Sequence, residues 1–217
     1  MIYAHYKEIQ DTIGPHTRLC VVSKNRTKEE ILSYYDAGER IFGENRVQEL
    51  LTKVDLPKDI QWHFIGHLQR NKVRDILPYV SCIQSLDRET LADTLEKEAA
   101  HIDRKIDVLC EFHLALQDHN KTGHDPEDAV PFVSYCMQKE HLNVQGIMVI
   151  GPHTNDQKAI AEVFQQAQDL FHLLQDTFGK EHIQVLSMGM SHDYKLAVQY
   201  GSTMVHIGTY LFQEEEL

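Results

Sequence analysis

Leu19-Cys20-Val21-Val22-Ser23-Lys24 is a short apolar run that ends in an amine. It has the length of a strand, and its lack of in–out alternation marks a strand covered on both faces, as in a parallel sheet clad with helices. A helical pattern precedes it, with Ile2, Tyr6, Ile9 and Ile13 spaced three to four residues apart. After it, Thr27-Lys28-Glu29-Glu30 has the form of a capping box, and Ile31, Leu32 and Tyr35 share one helical face until Gly38.

The alternation of strand and helix continues along the chain. Further strands are expected at 40–43, 62–66, 80–85, 105–112, 144–150, 183–186 and 203–208. Helices are expected over 44–54 and around Leu68, Val73 and Ile76. Another, capped by Asp87, carries Leu91 and Leu95. Asp125-Pro126 opens the next with a cap and a proline at its first position. The longest runs over 156–178 with a stripe of Ile160, Val163, Phe164, Ala167, Leu170, Phe171 and Leu174, and Gly179 stops it. Ser191 is read as the cap of a last helix that ends at Gly201. Eight strands, each with a helix, predict an α/β fold: a single (β/α)8 TIM barrel with an extra N-terminal helix, one domain over residues 1–217.

Composition narrows the function classes. A chain of 217 residues with 42% hydrophobic and 25% charged residues is ordinary for a globular protein. A net charge of −12 lacks the basic footprint of a nucleic-acid binder. No apolar run approaches a membrane span, and Met1-Ile2-Tyr3-Ala4-His5-Tyr6-Lys7 has no basic lead into an apolar core, so a cytoplasmic protein without a membrane partner is expected. Cys20, Cys82, Cys110 and Cys136 form no C-x-x-C pair and read as reduced, packed thiols. The chain has 14 histidines, among them His63, His67, His113, His119 and His124, but no acidic or cysteine partner at ligand spacing, and no metal is assigned.

In such barrels the chemistry sits at the C-terminal ends of the strands. Strand one ends at Lys24, whose apolar stem would disfavour the charged amine, and a neutral amine condenses with an aldehyde. Strand two runs into Gly43-Glu44-Asn45-Arg46, and strand three into Gly66-His67-Leu68-Gln69. Strands seven and eight end in Ser187-Met188-Gly189-Met190-Ser191 and Ile207-Gly208-Thr209, where barrels often cradle a phosphate with backbone N–H groups and glycine lets the backbone come close. A reactive amine and a phosphate cradle at one rim imply a phosphorylated aldehyde, pyridoxal 5′-phosphate.

The sequence resembles the pyridoxal phosphate homeostasis protein family (the YggS/PROSC type). The matching segments are Val22-Ser23-Lys24, Phe42-Gly43-Glu44-Asn45-Arg46-Val47-Gln48-Glu49 and Trp62-His63-Phe64-Ile65-Gly66-His67-Leu68-Gln69-Arg70-Asn71-Lys72. To these are added 186–191 and 201–209. The resemblance implies the barrel of the alanine racemase N-terminal type, without the racemases' second domain. It implies that Lys24 carries the cofactor as a Schiff base, that Ser187, Gly208 and Thr209 hold its phosphate, and that Asn45 lies beside its ring. Ser191, Met188 and His67 are implied near the cofactor. Two departures stand out. His206 replaces an arginine that, by resemblance, faces the pyridine nitrogen and keeps it unprotonated. Glu111-Phe112-His113-Leu114 replaces a Val-Asn pattern, while Lys121 and Gly123 still fit the family's K-x-G.

The implied function is a vitamin B6 carrier in intracellular homeostasis that buffers or delivers the cofactor without committed catalysis, so no catalytic residue is assigned. No second proton donor of the racemase kind is expected after Glu214-Glu215-Glu216-Leu217. Expected partners are the cofactor, free amino acids at an open face and apo forms of cofactor-dependent enzymes; a monomer is expected. Two alternatives stay open: a weak cofactor-dependent amino-acid racemase or lyase with His67 or His206 as acid or base, and a phosphosugar-binding barrel whose lysine forms a carbinolamine.

Overall fold

The structure, a computed structural model, describes residues 4–115 and 122–213. Eight strands pair in parallel in sequence order, and the first pairs with the last. They are β1 Arg18–Val22, β2 Ile41–Glu44, β3 Gln61–Phe64, β4 Val80–Leu86, β5 Ile106–Phe112, β6 Leu142–Val149, β7 Val185–Ser187 and β8 Met204–Ile207. Helix α1 (Ala4–Ile13) precedes the barrel, and α2 (Lys28–Asp36), α3 (Val47–Leu51), α4 (Val73–Ile76), α5 (Glu89–His101), α6 (Ala129–Met137), α7 (Gln157–Phe178) and α8 (Tyr194–Gln199) lie between strands. The α/β barrel with an additional N-terminal helix is the architecture expected from the sequence.

Burial divides each strand between two cores. Leu19, Val21, Phe42, Trp62 and Ile83 belong to a layer shared with helix residues such as Ile31, Leu91, Leu95 and Phe164. Cys20, Ile41, Cys82, Leu109, Met148, Val185 and Met204 form a separate cluster that fills the barrel. Strand β3 adds no apolar residue to that filling and places His63 there instead, 6% exposed. Both faces of the strands are therefore dry, which is why they lack a period-two pattern. All four cysteines are buried and free.

Local signals act largely as read. Thr27 and Glu30 form the capping box on α2, Asp156 caps α7, and the α7 backbone turns out of the helix at Gly179. Two expected caps are corrected. Helix α5 starts at Glu89 with Arg88 at its cap position and no side-chain cap, because Asp87 turns to the rim and pairs with Arg88 and His67. Helix α8 starts only at Tyr194, with Asp193 at its cap position, and the Ser191 hydroxyl instead accepts the Tyr210 N–H at 3.3 Å. Helix α3 is also shorter than its expected 44–54 span.

Strand β6 carries a bulge. Val108 pairs with Val144 but Leu109 pairs with Gly146, so Gln145 is extra on β6. Gly146 has φ +154, and a Cβ there would lie 1.9 Å from the Val185 carbonyl oxygen. Gly146→Ala should therefore lower unfolding free energy by about 2 kcal/mol or more. Thr27→Ala, which removes only a cap, should cost about 1 kcal/mol. Urea unfolding followed by circular dichroism measures both, and equal losses would contradict the strain assigned to position 146.

Candidate functional site

At the C-terminal end of the barrel the strand ends and their loops enclose a cavity of about 390 Å³. Of the residues read from sequence, Lys24, Asn45, His67, Ser191, His206, Gly208 and Thr209 line it together. Ser187 and Met188 do not. Ser187 is fully buried and Met188 is 1% exposed, because β7 aims Ser187 into the barrel and the chain clears the rim only after Gly189. The wall also holds Val22, Ile65, Thr122, Met148, Ile150 and His192, of which sequence reading named none as a site residue. Lys121, His119 and Glu214–Leu217 lie outside the described residues.

Lys24 is exposed at this mouth, so its amine lacks the burial expected from its apolar stem. Its backbone is held from both sides. The buried Lys53 amine donates to the Ser23 carbonyl at 2.8 Å and to carboxylates of Glu44 and Glu49 at 2.7 and 2.8 Å. Ser23 Oγ donates to Glu44 at 2.6 Å, and the Asn25 N–H, at φ 59, donates to Glu49. Burial pushes the Glu44 carboxyl up, against the pull of Lys53 and Ser23.

The β7 and β8 loops meet beside Lys24. Ser191 joins them through the Tyr210 N–H, and the His206 N–H donates to the Gly189 carbonyl at 2.8 Å. Gly189 has φ +100, and a Cβ there would lie 2.5 Å from that of Ala197; at Gly208 it would meet Val22 at 3.1 Å. These glycines thus let the loops pack on the protein as well as line the cavity. Among the described residues no acceptor takes the backbone N–H of Ser191, His192 or Thr209. Among the described residues no aspartate or glutamate lines the cavity, and Asn45 Oδ1 is buried without a hydrogen-bond partner. The mouth therefore offers free donors and an amine with no negative charge from the described residues, which suits an anion.

Below the floor the barrel is polar. Gln84 Nε2 donates to His63 Nδ1 at 2.7 Å and to Met204 Sδ at 3.2 Å. Gln84 Oε1 takes Ser187 Oγ at 2.8 Å and His206 Nε2 at 2.9 Å, and the last two lie 3.0 Å apart. Burial pushes His206 down to about 4, and burial with nearby Arg18 pushes His63 down to about 3, so both are neutral. Glu111, at the end of β5, accepts the Thr122 hydroxyl at 2.6 Å and is pushed up to about 7 by burial. His113 faces the Ala115 carbonyl at 2.9 Å and is not on the cavity wall. Among the described residues no group of three His, Cys, Asp or Glu is placed to hold a metal.

The comparisons define the class to which this barrel belongs. The model of the alanine racemase N-terminal domain matches residues 1–216. The pyridoxal phosphate homeostasis protein of Aquifex aeolicus is 37% identical over 92% of this chain and 87% of its own length. PipY of Synechococcus elongatus, solved without PLP, superposes with a TM-score of 0.91 at 35% identity over 98% of this chain and 100% of its own. Its form with PLP bound gives 0.86 at 33% identity over 96% and 98%. The chain belongs to the pyridoxal phosphate homeostasis protein family, on the alanine racemase N-terminal-domain fold.

Glu111 gives a stability signature. Its carboxyl rises from an ordinary 4.5 to about 7 on folding, so the folded chain binds its proton more tightly than the unfolded one. The stability it contributes is complete below its ordinary value and is lost as pH rises through its folded value. Glu111→Gln should be more stable than the parent at about pH 8, with the gap closing by about pH 5. A gap that widened toward acid in thermal melts would contradict this.

Proposed function

We propose that this chain, acting as one domain over residues 1–217, binds pyridoxal 5′-phosphate covalently on Lys24. In this reading it buffers or delivers the cofactor in the cytoplasm without a committed reaction of its own. The observation that carries the reading is the one cavity shared by Lys24 and the unpartnered amides of Ser191, His192 and Thr209. Family membership and the PLP-bound form of PipY support it. The residues present fit the group. The amides on the two loops face no competing acceptor and take the phosphate, with the Thr209 hydroxyl beside them. Ser191 holds the two loops together, Asn45 lies beside the ring, and Val22 and Ile65 give it apolar walls.

When bound, the cofactor supplies an aldehyde carbon and an electron-accepting ring. Lys24 would be the residue that holds that carbon covalently, its neutral amine giving up its two protons to the aldehyde oxygen, which would depart as water. Lys53, Glu44 and Glu49 fix the backbone on either side of Lys24 and so aim the amine. The exposure of Lys24 leaves the bond open to free amines, which would displace it by exchange and release the cofactor in transferable form.

The purified protein with added pyridoxal 5′-phosphate should show imine absorbance that Lys24→Ala abolishes, with weak phosphate-dependent binding left. Borohydride reduction and peptide mapping should place the adduct on Lys24; an adduct on Lys72 or Lys195 would refute the assignment. Delivery is a separate question for kinetics. Transfer to an apo cofactor-dependent enzyme should outrun release into solution, and equal rates would leave only a buffer.

A further inference from the structure

The polar set beneath the cavity floor admits one arrangement of protons. Met204 Sδ, 3.2 Å from the Gln84 amide, can only accept, so the NH2 group of Gln84 faces it and His63 Nδ1. Gln84 Oε1 therefore faces Ser187 Oγ at 2.8 Å and His206 Nε2 at 2.9 Å. A carbonyl oxygen only accepts, so Ser187 donates its hydroxyl hydrogen and His206 carries its hydrogen on Nε2. Any other placement sets two lone pairs against each other in a buried site. The imidazole is neutral, held so by burial, which leaves Nδ1 with a lone pair. Nδ1 has no hydrogen-bond partner and is not among the buried orphans of the described residues, while His206 lines the cavity. The nitrogen open to a ligand is thus an acceptor.

The position of His206 says which ligand atom it meets. It lies two residues before Gly208 on β8, and its N–H is bonded to Gly189 at 2.8 Å, so it is tied to both loops assigned to the phosphate. Lys24 stands at the end of β1, bound for the aldehyde carbon. In pyridoxal 5′-phosphate the ring nitrogen is opposite the aldehyde-bearing carbon and one carbon removed from the carbon that carries the phosphate arm. The edge with the nitrogen is therefore the edge near the phosphate loops, and His206 is tied to both of those loops.

We propose that His206, with its tautomer fixed by Gln84 and Ser187, offers its Nδ1 lone pair to the pyridine nitrogen and holds the bound ring in its protonated form. This rests on the proposed function above. Two lone pairs facing each other would repel, so a proton is taken up between the two nitrogens on binding. A protonated ring withdraws electrons more strongly than a neutral one. The site then has the electronics of a cofactor-dependent catalyst.

The test is 15N NMR of the full chain loaded with ring-labelled pyridoxal 5′-phosphate, at a pH where the free cofactor's ring nitrogen is unprotonated. The expected signal lies in the pyridinium range, moves to the free-base range in His206→Arg, which donates there, and moves the same way in His206→Phe, which has no lone pair. An unprotonated ring in the parent protein would overturn the inference while leaving the covalent site intact. So would a pyridinium signal that persists in His206→Phe. A parent protein that forms no adduct would remove the proposed function and this inference together. The parent spectrum decides the matter even if neither variant folds.

Discussion

Backbone pairing between β1 and β8 closes the sheet, with Arg18, Leu19, Cys20 and Val21 set against Met204, Val205, His206 and Ile207. That seam puts the lysine that ends β1 beside the loop that ends β8. Thr17 Oγ1 seals its lower end on the Ser202 carbonyl at 2.9 Å, between residues 185 apart in sequence. Closing so long a loop costs entropy that grows only slowly with length, and the closed sheet has no edge left to pair with another chain. Were the seam to slip by one residue, Cys20 and His206 would exchange their inward places with outward neighbours, and the floor of the cavity would lose its histidine.

The barrel filling divides along its axis. Its apolar cluster supplies ordinary burial. The set of His63, Gln84, Ser187 and His206 does something else. Gln84 ties the set together, bonding His63 Nδ1, Ser187 and His206 Nε2, and among the described residues only the second nitrogen of each imidazole is left without a partner. Buried polar groups are costly when half satisfied, and a satisfied set fixes side-chain positions more firmly than apolar packing does. A floor built this way holds one tautomer at one place, a more definite chemical surface than a layer of methyl groups. The cluster of Lys53, Glu44 and Glu49 does the equivalent for the backbone around Lys24.

The barrel was legible in the sequence because its punctuation is local. The capping box at Thr27, the Asp125-Pro126 start and the Gly179 stop mark helix ends that the structure keeps within a residue or two, and the short double-sided apolar runs between them read as parallel strands by their length. Lys24, Gly208 and Thr209 sit at strand ends, a position that sequence order supplies, while Asn45 and His67 were named as neighbours of the cofactor by the family resemblance. What was not legible depends on which way a side chain points inside a dry barrel. With both faces buried there is no alternation to say that Ser187 aims inward and Ser191 outward. The same ambiguity hid Gln84, which reads as one polar residue in the apolar strand Val80–Leu86 and turns out to set the state of His206 from a strand far away in sequence. Asp87 and Ser191 carry residue types that cap helices, but each found a stronger partner across the rim.

One cavity holds both the Lys24 amine and the backbone donors that a phosphate would take, the two groups that a single phosphorylated aldehyde needs together. A crystal structure of the protein soaked with pyridoxal 5′-phosphate tests it most directly. Continuous density from Lys24 Nζ to the aldehyde carbon, with the phosphate on the amides of Ser191, His192 and Thr209, is the result the account predicts. A phosphate seated elsewhere on the barrel, or a cofactor bonded to a different lysine, would contradict it.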